Sequence, residues 1–126
     1  MSSSEPAPAD FAAFRTCWNE RRFFEAHETL EPRWIRSRDR PLQGMIQLAA
    51  AMHHLQRRNL RGAITMLQRA LSRLDDGATT GHPLDLQALK AFAVWALDRL
   101  EAAGSEKTPP SQDDVAARCL AARPLI

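Results

Sequence analysis

The chain has no tyrosine, and its valines and isoleucines together number six in 126 residues. A β-rich fold needs β-branched and aromatic residues on its pleated faces, so a sheet-based architecture is excluded by supply. Cysteines number two, Cys17 and Cys119, too far apart for a CxxC site, so neither a disulfide scaffold nor a Cys-rich metal site is on offer. Free thiols in a cytoplasmic protein are the expected state. No apolar run approaches the roughly 18 residues of a membrane span. The longest, Met45 to Met52, is broken by Gln47 and followed by His53 and His54. The first ten residues, MSSSEPAPAD, carry neither a basic region nor an apolar core, so they do not read as a secretory signal. Lysine is nearly absent too: the bases are fifteen Arg and two Lys.

What is present favours helix. Ala, Leu, Arg, Gln and Glu dominate, all good helix formers. The expected fold is all-α: a compact stack of about five helices arranged as antiparallel helical hairpins. A chain of 126 residues is one domain's worth and can bury a core without metal or disulfide. Residues 1–9 read as a disordered leader, 10–104 as the helical domain, and 105–126 as a linker and short C-terminal helix. Asp10 is placed as the N-cap of helix one, running from Phe11 to Glu20, with Phe11, Phe14, Cys17 and Trp18 facing inward. Helix two spans Phe23 to Arg36, bent by the internal Pro32. Helix three spans Pro41 to Arg57. Helix four spans Leu60 to Leu74 behind an Asn59 cap. A loop at 77–82 precedes helix five, which opens at Pro83 or Leu84 and stops at Gly104. A short helix is expected over 113–122. In helix five, Leu89, Phe92, Trp95 and Leu100 read as core.

A faint repeat runs through the first half. At a shift of 37 residues Ala26 meets Ala63, Leu30 meets Leu67 and Glu31 meets Gln68, with Arg21-Arg22 near Arg57-Arg58. A period of this size suits a tetratricopeptide-like stack of helix pairs.

The repeat exposes an oddity. The inward face of helix four reads Ala63, Ile64, Leu67, Ala70, Leu71 and Leu74. The matching face of helix two reads Phe24, His27, Glu28, Glu31, Trp34 and Ile35. Residues three, four and seven apart share a helix side, so an imidazole and carboxylates stand where a plain helix would carry Leu. A desolvated carboxylate needs a partner. Helix three supplies candidates: Gln43, Gln47, Ala50 and His54 form a polar stripe beside the apolar Leu42, Met45, Ile46, Ala49 and Met52. Gly44 and Ala49 to Ala51 are small enough for close helix approach. His27, Glu31, Gln47 and His54 would then converge in a cleft with Trp34 as a wall. His53 points about 100° away from His54 and reads as solvated, and His82 as inert.

The segments FFEAHETLEPRW and LQGMIQLAAAMHHLQRRNLRGA resemble the bacterial and archaeal family known as domain of unknown function family 309. Its hallmark HxxxExxW is met by His27, Glu31 and Trp34, and Gly44, Gln47, His54, Asn59 and Gly62-Ala63 match its later pattern. The likeness covers about residues 14–75. It implies an all-helical domain with a suspected site and no established activity. The chain departs from the family at Pro32, directly after Glu31, and at Ile35, where a hydroxyl residue is common.

Three chemistries suit such a cluster. His27 and Glu31 at i, i+4 with His54 offer at most three metal ligands, and HETLE is not the HExxH of zinc proteases, so no metal and no cofactor is assigned. A coupled His–Glu pair is suited to proton transfer, which makes His27 and Glu31 the candidate catalytic residues. Trp34, Gln47, His54 and Glu28 are the candidate ligand-binding residues. A satisfied polar network that fixes helix packing is the third reading. Whether the protein is an enzyme stays open.

The charge is +2 overall but uneven. Residues 11–73 hold twelve Arg and five acids, the remainder five bases and ten acids. The clusters at Arg21-Arg22, Arg33, Arg36, Arg38, Arg40 and Arg57-Arg58-Arg61 suggest a second function, a helical interaction module facing an acidic protein or nucleic acid. No nucleic-acid motif accompanies them, which disfavours nucleic acid. The preferred partner is a small molecule, with no membrane, and a protein partner or a second copy of the chain is the remaining option.

Overall fold

The computed structural model describes residues 8–74, 84–104 and 109–126, with the backbone alone at 104 and 109–112. Among the described residues there is no strand, and seven helices follow one another. They are α1 Ala9–Asn19, α2 Phe23–Thr29, α3 Glu31–Ser37, α4 Arg40–Gln56, α5 Leu60–Leu74, α6 Leu86–Gly104 and α7 Pro109–Ala122. The all-α expectation holds. Residues 1–7 of the expected leader, the loop at 77–82 with His82, Pro83 and residues 105–108 lie outside the described residues, while Ala9, expected in the leader, opens α1.

One expected helix is two. The segment Phe23–Arg36 breaks at Leu30, and Pro32 sits in the first turn of α3. Proline lacks the N–H that a continuous helix would need and its ring crowds the preceding turn, so it is tolerated only where a helix begins. The bend expected at Pro32 is therefore a break two residues earlier.

α4 is the central helix. It packs most extensively on α5 and also meets α2, α3 and α7, while α6 bridges α5 and α7. Asp39 caps α4 by accepting the Leu42 N–H at 3.1 Å, and Pro41 stands in its first turn. The apolar face expected for this helix, Leu42, Met45, Ile46, Ala49 and Met52, is buried. Gly44 permits the close crossing with α5. A Cβ there would stand 2.9 Å from Leu74 Cγ and 3.1 Å from the Ala70 carbonyl oxygen. On α5, Ala63, Leu67, Ala70 and Leu74 are buried.

The 37-residue repeat reappears as backbone geometry. After α1, the Arg22 N–H donates to the Cys17 carbonyl (2.8 Å) and the Arg21 N–H to that of Trp18 (3.2 Å). After α4, the Asn59 N–H donates to His54 (2.8 Å) and the Arg58 N–H to Leu55 (3.0 Å). Both are Schellman turns, whose left-handed residue is usually glycine. Here it is arginine each time, Arg21 at φ 64° and Arg58 at φ 60°. Arg58 offsets part of the strain by donating from Nη1 to the Leu55 carbonyl at 2.9 Å.

Trp18 anchors the first hairpin. It is fully buried, stacks on Phe14 at 6.0 Å and meets Phe23 and Phe92 edge-on. Its indole N–H donates to the Pro124 carbonyl at 2.7 Å. Arg123 donates to the Trp18 and Asn19 carbonyls, and the Ile126 N–H to Asn19 Oδ1. The C-terminal residues thus close over the end of α1. α7 starts at Pro109, earlier than expected, and Ala116, Cys119 and Leu120 belong to the same core.

Asp10 does not cap α1, which begins at Ala9 with no side-chain cap. Its carboxylate instead takes two hydrogen bonds from Arg33 on α3, at 2.6 and 3.0 Å. Oδ1 also accepts the Phe11 N–H at 3.0 Å, and the charged pair with Arg33 sets where the carboxylate sits. The Arg33 guanidinium also lies 4.9 Å from the Phe11 ring centroid.

Candidate functional site

The polar stripe expected on α4 exists: Gln43, Gln47, Ala50 and His54 are all half-buried. α2 lies against this helix, and between them is a recess of about 100 Å³. Phe24, His27, Ala50, His53 and His54 line it. The i, i+4 spacing of His27 and Glu31 survives the break at Leu30, and the two side chains meet with Nδ1 3.3 Å from Oε1. The approach is close but not aligned as a hydrogen bond, and the buried Nδ1 has no other partner. Both side chains are about one-third to two-fifths exposed, 32% and 42%.

His54 is held by the start of α5. Asn59 accepts the Gly62 N–H on Oδ1 at 3.0 Å, which turns its amide nitrogen toward His54 Nδ1 at 3.1 Å. The amide nitrogen can only donate, so His54 Nδ1 is the acceptor in this contact. Gly62 is required for this closeness. A Cβ there would stand 2.6 Å from Asn59 Nδ2 and 2.8 Å from His54 Nδ1.

His53 corrects the sequence reading. It is half-buried rather than solvated, and its ring lies 5.3 Å from that of Phe24, with Phe24 in turn 6.0 Å from His27. Burial pushes the His53 pKa below its ordinary value, and the charges of Arg57, His54 and His27 push it the same way, against a Gln56 hydrogen bond. A neutral imidazole at neutral pH follows. Sequence reasoning missed Phe24 as an exposed aromatic at the mouth, at 54% exposure, although it stood on the same unusual face.

The remaining expected residues do not join the recess. Glu28 is exposed. Gln47 is half-buried away from its lining, with Oε1 buried and unpartnered. Trp34 packs half-buried against the core, covered by the Arg38 guanidinium at 4.5 Å, with its indole N–H unpartnered. The expected convergence of His27, Glu31, Gln47 and His54 is thus partial: His27 and His54 share the recess, Glu31 reaches His27, and Gln47 stays outside. Among the described residues no group of three or more His, Cys, Asp or Glu is placed to hold a metal. Consecutive His53 and His54 leave the helix in different directions, with ring centroids 6.5 Å apart.

Trp95 is a second correction. Leu89, Phe92 and Leu100 are buried as expected, but Trp95 is 37% exposed and lines a separate, larger cavity between α6 and α7. Among the described residues no helix is long and apolar enough to cross a membrane.

No curated protein and no solved structure matches the chain. A family model does: residues 11–66 match the family described as Domain of unknown function (DUF309), and this match spans α1 to the first half of α5, with the whole recess inside it. Residues 11–66 are therefore similar to DUF309, the family that the HxxxExxW motif and the His54-Asn59-Gly62 pattern resemble.

Proposed function

We propose that the recess between α2 and α4 is a binding site for a compact polar group of a small ligand, carried on a tetratricopeptide-like pair of helical hairpins. The observation that supports it is the gathering of three imidazoles and an exposed aromatic around one small space. A volume of about 100 Å³ holds a functional group and not a drug-sized molecule. Phe24 supplies an apolar face. Neutral His53 both donates and accepts, and Glu31 stands behind His27. A group that itself donates and accepts, such as a carboxamide or hydroxyl, fits that set better than an anion, which the Glu31 carboxylate would repel. The pair of hairpins is supported by the Schellman turn repeated 37 residues apart.

Proton transfer is the chemistry this pair could add, with His27 and Glu31 the groups to carry it. The test is acetamide against acetate, followed by the ring proton–carbon shifts of the four histidines. Saturable movement of His27, His53 and His54 by acetamide, with His82 still, is expected. No saturable shift up to about 10 mM would overturn the reading.

The alternative of an Arg-rich docking face is weakened by where the arginines are spent. Arg22 pairs with Glu20 and Glu25 at 2.9 Å each, Arg33 with Asp10, and Arg58 with Asp113 at 3.6 Å, while Arg38 lies over Trp34. Arg22, Arg33 and Arg58 are thus paired with carboxylates within the chain.

A further inference from the structure

The cavity between α6 and α7 lies outside the DUF309 match and measures about 350 Å³, more than three times the recess on α4. That places it within the range of small-molecule pockets, roughly 300–1,000 Å³. Its deep end is apolar: Ala103 is 3% exposed and Cys119 fully buried, with Val115 half-buried beside them. Its solvent end carries Trp95, Arg99 and Arg118, all exposed. Trp95 stacks on Phe92 at 6.3 Å yet stays 37% exposed, on a helix that buries Leu89, Phe92, Ala96 and Leu100.

The two arginines are differently placed. Arg99 lies over the Trp95 ring at 5.5 Å, and its charge reaches Cys119. Arg118 is paired with Asp114 at 3.0 Å, both mostly exposed, so this pair is weak and exchangeable. Burial pushes the Cys119 thiol up to about 11, so at neutral pH it is a neutral, apolar lining group and not a nucleophile.

We propose that this cavity binds a planar aromatic carboxylate, with the ring against Trp95 and the buried Ala103 and Cys119, and the carboxylate held by Arg99 and Arg118. Three features select that class. The indole face and the apolar end favour a flat hydrophobic body. Guanidinium groups match a carboxylate's two oxygens in geometry as well as charge. Two cations at one end of an apolar space discriminate against a neutral ring of the same shape, since one arginine is then left facing the indole alone.

The experiment titrates the full chain with 2-naphthoate, by calorimetry and by the three indole N–H signals in a proton–nitrogen spectrum. Saturable binding that moves the Trp95 signal and leaves that of buried Trp18 in place is expected. Arg99→Gln and Arg118→Gln, both at exposed positions that leave the core intact, should each weaken it at least about tenfold. The neutral 2-naphthol should also bind at least about tenfold more weakly. Absence of saturation up to about 5 mM overturns the proposal. So does binding that the arginine substitutions leave unchanged, or equal binding of 2-naphthol, which would mark unspecific apolar uptake. Movement of the histidine signals in place of Trp95 would assign the naphthoate to the α2–α4 recess and overturn it equally.

Discussion

The two hairpins share a turn and differ in almost everything after it. α1 and α4 both end in a Schellman turn with a left-handed arginine, and at the 37-residue shift Trp18 and Leu55 stand in equivalent, fully buried places. Beyond the turn, α5 is capped by Asn59, runs fifteen residues unbroken and buries an apolar stripe. α2 has no side-chain cap, runs seven residues and breaks at Leu30. Where α5 has Ile64 and Gln68, α2 and α3 have His27 and Glu31. The second hairpin has an unbroken helix with Ile64, and the first a broken one with His27 in its place. Such local violations of the folding rules concentrate where a chain keeps costly groups for function.

The largest test of this comparison is at the shared anchors. Trp18→Ala should cost about 3–5 kcal/mol and Leu55→Ala about 2–5 kcal/mol, by chemical denaturation. A cost near zero at Trp18 alone would show that the first hairpin is not integrated with the core as the second is.

The two tight glycines divide scaffold from site. Gly44→Ala should cost about 1–3 kcal/mol, because Leu74 can turn aside but the Ala70 carbonyl cannot. Gly62→Ala should instead displace His54 and Asn59, shifting the His54 ring signals in a chain that stays folded. If Gly62→Ala leaves those signals in place, the hold of α5 on the recess is wrong.

Acid should lower stability in two steps, one at the recess and one at the pairing of α1 with α3. The Arg33 guanidinium holds Asp10 below the usual carboxylate range. Its contribution is present above the unfolded value of about 4 and is lost as pH falls through the lower folded value. His53 acts in the same direction at higher pH. With its folded pKa depressed, the unfolded chain takes the proton first, and stability declines as pH falls below about 6.5. Melting temperatures of Asp10→Asn and His53→Gln against pH should flatten the lower and upper parts of that decline, respectively. Unchanged pH profiles would remove both assignments.

Writing the α5 residues into the first hairpin is the direct test. The double change His27→Ile with Glu31→Gln should leave the melting temperature unchanged or raise it, since the unaligned, part-exposed pair contributes little. A fall of more than about 4 °C with helix content intact would make the pair structural. The smallest effect is expected at the turns. Arg21→Gly should relieve left-handed strain and stabilise by up to about 1 kcal/mol, whereas Arg58→Gly should gain less, because it also gives up the Leu55 and Asp113 contacts.

Much of the fold could be read in advance where one helix face decides the outcome. The limits of α5, its Asn59 cap, the apolar face of α4 and the close approach at Gly44 all follow from period and residue size. The candidate site was half visible. His27, Glu31 and His54 stand out because polar groups interrupt an apolar stripe. His53 and Phe24 do not, because a helix wheel of one element says nothing about the neighbouring helix that covers its flank. Asp10 misled for a similar reason: its capping role is local, and the Arg33 that claims it lies 23 residues on.

The sequence alone determined that this protein is helical, where most helices run, that α2 is anomalous and that its first half resembles DUF309. Composition, period and short motifs carry those facts, because each depends on residues within a few turns of one another. Tertiary structure decided the rest. It closed the C-terminal residues over Trp18, gathered three histidines around Phe24, and opened a second cavity beside Trp95. Each of these joins segments far apart in the chain, and which side chains meet there is settled by how helices pack in three dimensions, a property no single helix encodes.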